Sequence, residues 1–120
     1  MSITKTVSIS GESVTFRASA ALPRLYRVRF QRDIYRDISS LWDQIIEEGK
    51  EPDTALVEDI AYIMAKHGDP EGTPDSVEEW LERFDTFSVF EMLPHIIEMW
   101  HANTATTVTS KKDSAGPTGK

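Results

Sequence analysis

The chain contains no cysteine, so a disulfide framework and a thiolate metal site are both excluded. No apolar run reaches the length of about 18 residues that a membrane-spanning helix requires. The opening residues, MSITKTVSISG, lack the basic start and the continuous apolar segment of a signal peptide. These three absences together predict a protein of the cytoplasm.

Sequence motifs of catalysis are also missing. The chain has no GxSxG, P-loop or GxGxxG pattern. Its three histidines and many glutamates do not fall into a recognisable catalytic arrangement. We therefore expect no enzymatic activity, no cofactor and no bound metal.

The composition suits one globular domain. A length of 120 residues is enough for a single modest core and too short for two ordinary domains. Hydrophobic residues make up 39% of the chain and charged residues 28%, which is typical of a folded protein rather than a disordered one.

The charges are divided unevenly along the chain. Residues 17–36 hold six arginines against Asp33, a net charge of +5, whereas residues 37–109 hold seventeen acids against three bases, a net charge of −14. The overall net charge of −7 argues against a protein that coats nucleic acid, because such binding depends on neutralising phosphates. The basic segment still leaves three interpretations open: a local phosphate-binding patch, ion pairs that hold the fold together, or a surface for a protein partner.

Periodicity predicts a mainly helical α+β fold. Alternating apolar residues on both sides of Gly11 predict a short β-hairpin over residues 3–18. From Pro23 onward the apolar spacing changes to three and four residues, which indicates helices. The hairpin is expected to pack on a bundle of about four helices, which cover about 23–48, 54–67, 76–84 and 88–102. One domain then spans 1–102, and residues 103–120, which have no periodicity, predict a disordered and flexible polar tail.

Local signals mark the ends and breaks of these helices. Pro23 suits a first helical turn, and a break in the first helix would fall near Gln31. Ser76 followed by Glu79 three residues later is a capping box. Pro94 lies inside the last predicted helix, where we expect a kink.

The last predicted helix is apolar over most of its circumference and leaves only a narrow polar stripe. Such a helix is either the central core helix or part of a contact surface. In the polar stripe, His95 stands at helical spacing between Glu91 and Glu98, and these residue types are able to bind a metal ion. We favour the other interpretation, a solvated stripe, because no HExxH-type pattern or second ligand cluster accompanies it.

The arginines differ in whether an acidic residue lies within one helical turn of them. Arg29 and Arg36 are four and three residues from Asp33, so both are expected to form intrahelical ion pairs. Three others have no acid at these spacings, namely Arg24, Arg27 and Arg32. Their guanidinium groups are expected to meet the acidic helices of the same chain, an acidic face on a neighbouring copy, a partner protein or phosphate.

Two stretches of the sequence carry a family resemblance. FRASAALPRLYRVRFQRDIYRDI contains the pattern P-R-x-Y-R-x-x-F-x-R-D-I, and AYIMAKHGDP is followed by SVEEWLERFDTFSVFEMLPHIIEMW. In this order, and over about residues 7–102, they resemble the phage tail assembly chaperones. The chain departs from the family pattern at Leu22, where Thr or Ser usually precedes the proline, and at Gln31, where Gly is common.

The resemblance implies a non-virion protein of a long-tailed phage or prophage, encoded just before the tape measure protein. Such a chaperone would act in the host bacterial cytoplasm and be absent from the mature virion. It would bind the tape measure protein, keep it soluble and help to recruit the major tail protein during tail assembly.

Physical reasoning selects the residues expected to contact a partner. A tape measure protein exposes apolar helical stripes, which suit a helix-in-groove mode of binding, and aromatic side chains commonly anchor interfaces. The expected groove residues are Trp80, Phe84, Phe87, Phe90 and Trp100. The residues expected to orient the partner, or to join copies in a homo-oligomer, are Arg24, Arg27, Arg32 and Arg36. The alternative function is a small nucleic-acid-binding or regulatory module that uses the Arg-rich helix 24–36.

Overall fold

The architecture comes from a computed structural model, which describes the backbone of residues 2–47 and 50–115 and their side chains up to Ala102. This part of the chain folds into a hairpin and five helices. In order they are β1 (Ile3–Ile9), β2 (Glu12–Ala18), α1 (Leu22–Phe30), α2 (Ile34–Ile46), α3 (Thr54–Gly68), α4 (Val77–Leu81) and α5 (Ser88–Ala115). The predicted α+β fold, with an N-terminal hairpin packed on helices, is confirmed.

β1 and β2 form an antiparallel hairpin in which Val7 lies opposite Val14. Ser10 and Gly11 at the turn have φ angles of 53° and 83°, the pair of left-handed conformations that a two-residue hairpin turn requires. Glycine adopts such a conformation without steric cost. One face of the hairpin lies on the helices and buries Ile9, Val14, Phe16 and Ala18.

α1 and α2 occupy the range of the first predicted helix, about 23–48, and are separated at the position where a break was expected. The break near Gln31 is confirmed, because Gln31 takes the left-handed conformation with φ of 56° and ends α1. Asp33 then caps α2 by accepting a hydrogen bond of 2.9 Å from the backbone N–H of Tyr35. The chain therefore changes direction between the two helices while both ends stay hydrogen-bonded.

α3 is the central helix and matches its predicted range closely. Asp53 caps it by accepting from the N–H of Ala55 at 3.0 Å. Its second half is buried among the hairpin and the other helices, including Ile60, Ala61, Tyr62 and Met64. At its end, a Cβ atom on Gly68 would lie 2.3 Å from the carbonyl oxygen of Thr15, so β2 and α3 approach each other at a distance that only glycine allows.

α4 is shorter than the predicted helix over 76–84. Ser76 caps its start as predicted, since Ser76 Oγ accepts from the N–H of Glu79 at 3.1 Å, and the Ser76 hydroxyl lies 3.3 Å from Glu79 Oε1. Beyond Leu81 the chain forms a turn in which the N–H of Phe84 bonds the carbonyl of Leu81 at 3.1 Å. This three-residue spacing replaces the four-residue spacing of an α-helix and ends α4 early.

α5 begins at the predicted residue, Ser88, and its helical backbone continues past the predicted end near 102, to Ala115. Residues 116–120 of the predicted tail lie outside the described residues. The kink at Pro94 stays a prediction. α5 combines the two roles that its sequence left open. One face enters the core through Val89, Met92, Ile96 and Met99, whereas Phe90 is 49% exposed, as is Phe87, directly before the helix, at 75%.

Candidate protein-binding surfaces

Arg32 is bound within the fold. Its guanidinium group donates hydrogen bonds to Asp37 at 2.9 Å, to Asp59 at 2.8 Å and to the hydroxyl of Tyr26 at 2.7 Å. It also lies 5.5 Å from the ring centroid of Phe30. These contacts join α1, α2 and α3. Arg32 therefore meets acidic side chains of its own chain, which is one of the alternatives that the sequence left open. Its acids come from five residues away and from another helix, beyond the spacing of an intrahelical pair. The contact of Arg32 with a partner stays a prediction.

Electrostatics supports a structural role for this network. The Tyr26 hydroxyl donates to Asp37 at 2.6 Å. Burial, together with that carboxylate, raises the pKa of Tyr26 well above its usual value. The carboxylates of Asp59 and Asp37 raise the pKa of Arg32. Tyr26 therefore stays neutral and Arg32 stays charged throughout the physiological pH range.

The remaining arginines of the basic segment fall into two groups. Arg29 lies over the ring of Tyr62, 5.1 Å from its centroid, and donates to the backbone carbonyl of Asp75. The predicted pairs of Arg29 and Arg36 with Asp33 are absent from the described part of the chain, where Asp33 serves as the helix cap. Arg24, Arg27 and Arg36 are exposed, and their guanidinium groups form neither an ion pair nor a hydrogen bond with any described residue.

The five aromatic residues predicted to form one groove lie in separate places. Trp80 is only 1% exposed and packs in the core against Tyr62 and Phe84, with ring centroids 5.8 and 5.0 Å apart. It is therefore a core residue, and the prediction that it contacts a partner is corrected. Phe84 is half-buried beside it. Phe87 and Phe90 are exposed at the start of α5, whereas the fifth residue, Trp100, lies about 15–20 Å further along that helix.

Trp100 belongs to a different surface, which we call the α2–α5 groove. Tyr35 meets Trp100 edge to face at 5.2 Å, and Trp42 stacks on His101 at 6.0 Å. Two adjoining hollows, of about 220 and 470 Å³, lie between the helices. They are lined by Tyr35, Ile38, Ser39, Trp42, Ile45, Leu93, Pro94, Ile97, Glu98, Trp100 and His101.

The α2–α5 groove is unusually apolar for an exposed surface. Of its lining residues, Tyr35 is 60% exposed, Trp42 44% and Ile45 43%. Ile46, the next residue of α2, is 63% exposed. Contiguous apolar surface of this kind commonly marks an interaction site. Sequence reasoning missed the contribution of α2, although Tyr35, Trp42 and Ile46 broadened its apolar stripe beyond what one buried face needs.

The polar stripe of α5 faces the hairpin. Lys5 Nζ donates to Glu98 Oε1 at 2.5 Å and lies 3.4 Å from His95 Nδ1. The backbone N–H of Ser10 donates to Glu91 Oε1 at 3.0 Å. The ammonium group of Lys5 lowers the pKa of Glu98. The three stripe residues therefore attach α5 to β1 and its turn, and no three acids or histidines among the described residues are grouped so as to hold a metal ion.

A second groove, the basic groove, runs between α1 and α3. It encloses about 570 Å³. Its lining residues are Arg24, Leu25, Val28, Arg29, Ile63, Lys66, His67 and Pro70. Leu25 is 38% exposed and Val28 67% exposed. Burial, followed by the charge of Arg17, lowers the pKa of His67, whose Nε2 lies 2.7 Å from Ser19 Oγ. The cations of this groove are Arg24, Arg29 and Lys66. Lys66 pairs with the Asp75 carboxylate at 2.9 Å, and Arg29 donates to the carbonyl of Asp75.

An acidic hollow of about 430 Å³ lies at the junction of α4 and α5. Its charged lining residues are Glu58, Glu78, Glu82 and Asp85, and none of the described residues that line it is basic. Burial, reinforced by Asp59 and Asp53, raises the pKa of Glu58. Next to this hollow stands what we call the acidic tip, a pair of exposed phenylalanines surrounded by acids, formed by Glu82, Asp85, Phe87, Phe90 and Glu91.

None of the helices in the described ranges combines the length and the apolar character needed to cross a membrane. Comparison with protein-family models gave no match, and comparisons with curated proteins and with solved structures gave none either.

Proposed function

We propose that this protein is a phage tail assembly chaperone that binds the tape measure protein, keeps it soluble and helps to recruit the major tail protein. The sequence motifs quoted above suggest the family. The observation that carries the proposal is the exposed α2–α5 groove, because a chaperone for helical chains needs an apolar surface that stays open in the folded protein. The proposed site of action is the host bacterial cytoplasm before the virion is complete.

The groove suits an amphipathic helix. α2 and α5 meet through Tyr35 with Trp100 and through Trp42 with His101, and these ring pairs leave the hollows beside them open. Large apolar side chains at helical spacing on the tape measure protein would fill those hollows, as in other helix-in-groove complexes. Trp42 is the expected anchor, because tryptophan is enriched among the residues that dominate interface energies.

Charge explains how the complex would remain in solution. The chain carries a net charge of −7, and seventeen of its twenty acids lie within residues 37–109. Copies bound along an apolar tape measure protein would repel one another and other complexes, which opposes aggregation. This role requires neither catalysis nor a cofactor.

The structure offers less support to the alternative of nucleic-acid binding. Of the arginines in the basic segment, Arg32 is held by two carboxylates and Arg29 by a carbonyl and an aromatic ring. Fewer guanidinium groups are therefore free for phosphate than the sequence suggests.

Co-expression with the tape measure protein tests the proposal. Trp42→Asp places a charge in the α2–α5 groove, and we expect at least about a tenfold loss of soluble, co-purified tape measure protein, as for an anchor residue. Val28→Asp is the matched control, because it adds the same charge at an exposed apolar position on α1, and co-purification should persist. Circular dichroism establishes that both variants fold. Full co-purification with a folded Trp42→Asp protein would contradict the proposal.

A further inference from the structure

We propose that the basic groove is a second binding site, and that it takes an acidic amphipathic helix of a different protein. Such a helix carries large apolar side chains along one stripe and Asp or Glu residues beside that stripe. The basic groove shares no lining residue with the α2–α5 groove. The proposal therefore adds a binding site beyond the one assigned to the tape measure protein.

The basic groove presents an apolar strip to solvent. Ile63 of α3 is only 5% exposed, whereas Leu25 and Val28 of α1 are 38% and 67% exposed. Leu25 and Val28 stand three residues apart and so share one face of α1. A small molecule inside the groove would leave most of the Val28 side chain in water. A helix laid across α1 would cover both side chains, so a protein segment fits the groove better.

Arginines border this apolar strip on both sides. The turn of the helix places Arg24 and Arg27 on one side of Val28, and Arg29 on the far side of Leu25. The guanidinium groups of Arg24 and Arg27 form no ion pair or hydrogen bond with any described residue. They repel each other at a spacing of three residues. Carboxylates on a bound helix would relieve this repulsion.

The other cations of the groove are partly satisfied within the fold. Lys66 pairs with Asp75 at 2.9 Å and donates to the carbonyls of Pro70 and Thr73 at 3.0 and 2.8 Å. Arg29 donates to the carbonyl of Asp75 rather than to a carboxylate. Lys66 therefore holds the loop after α3, and the charge available to a partner comes from α1.

The pattern of the exposed face selects an acidic helix over phosphate. Phosphate would satisfy Arg24 and Arg27 but would leave Leu25 and Val28 uncovered. A helix with leucine and glutamate side chains at neighbouring positions of one face would satisfy both sets of residues, in the helix-in-groove mode. Opposite charges at the edge of such a contact steer association and fix its orientation.

Fluorescence anisotropy with a synthetic peptide tests this site on the purified full chain. The probe is a labelled helical peptide of about 15 residues with leucines along one stripe and glutamates beside them. We expect it to bind, and its affinity to fall as salt is added. Two control peptides, with Lys in place of Glu or with Ser in place of Leu, should each bind at least about tenfold more weakly.

Substitutions in the chain locate the bound peptide. Val28→Asp and Arg24→Glu should each weaken its binding at least about tenfold. Lys50→Glu is the matched control for charge, because it makes the same reversal at an exposed position that does not line the groove, and the affinity should stay unchanged. Circular dichroism establishes that each variant folds. Equal affinities of the wild type, Val28→Asp and Arg24→Glu would overturn the proposal.

Trp42→Asp distinguishes the two grooves. This variant should keep the peptide, and Val28→Asp should lose it while retaining the tape measure protein. Peptide binding that Trp42→Asp abolishes and Val28→Asp leaves intact would place the peptide in the α2–α5 groove and overturn the proposal. So would a short DNA duplex, or a second copy of the chain, that occupies the basic groove when the peptide does not bind. Failure of the tape measure experiment alone would leave this site standing, because the peptide assay does not depend on it.

Discussion

Replacing Arg32 by methionine should destabilise the fold by an amount that its contacts allow us to estimate. Methionine keeps much of the apolar stem that lies near Phe30 and removes the charge. The change leaves Asp37 and Asp59, whose side chains are 13% and 20% exposed, without the cation that they share.

The loss of unfolding free energy expected for Arg32→Met lies between two limits. Exposed ion pairs contribute about 0–1 kcal/mol, whereas breaking a buried pair costs about 3–5 kcal/mol. The Arg32 side chain is 39% exposed, so solvent screens part of its interaction with the two carboxylates. The hydroxyl of Tyr26 also loses a donor, although it keeps its bond to Asp37. We therefore expect the free energy of unfolding to fall by about 2 kcal/mol.

Urea denaturation followed by circular dichroism measures this change. The midpoint should shift to lower urea while the slope of free energy against urea is unchanged. Arg24→Met is the matched control, because Arg24 is exposed and has no described ion partner, and its effect should stay within about 0.5 kcal/mol. Equal effects of the two substitutions would refute the structural role of Arg32.

Two further predictions concern the end of α3. Gly68→Ala should lower the free energy of unfolding by about 1–3 kcal/mol in urea denaturation, because the added Cβ would meet the carbonyl oxygen of Thr15 at 2.3 Å; an unchanged midpoint would show that β2 and α3 do not approach so closely. The pKa of His67 is lower in the folded protein than in the unfolded chain, so the unfolded chain binds a proton at His67 more readily. The folded protein therefore loses stability as the pH falls through the unfolded pKa of about 6.5. His67→Gln should therefore lose less stability than the wild type between about pH 7.5 and 5.5, and parallel pH profiles would contradict this.

Local signals predicted most of the fold correctly. The hairpin turn followed from Gly11, α3 from its apolar face and caps, and the start of α5 from Ser88. These features depend on neighbouring residues along the chain. The break between α1 and α2 was harder to define, because an apolar stripe continues through it and only the left-handed backbone of Gln31 ends the helix.

The sequence did not predict contacts between residues that are far apart along the chain. Arg32 finds Asp59 on another helix, and Trp80 finds Tyr62 in the core, and spacing within one helix reveals neither pairing. The polar stripe of α5 likewise binds Lys5, more than eighty residues earlier in the chain. A sequence pattern shows which side chains share a face of one element, but not which other element covers that face.

Site-specific photo-crosslinking in the complex with the tape measure protein tests the central claim most directly. A photoreactive phenylalanine analogue at Ile45, which is 43% exposed and lines the α2–α5 groove, should crosslink to the tape measure protein. The same analogue at Val28, which is 67% exposed on α1 and lines the basic groove instead, should give no crosslink to the tape measure protein. Crosslinks to the tape measure protein from position 28, with none from position 45, would contradict the account.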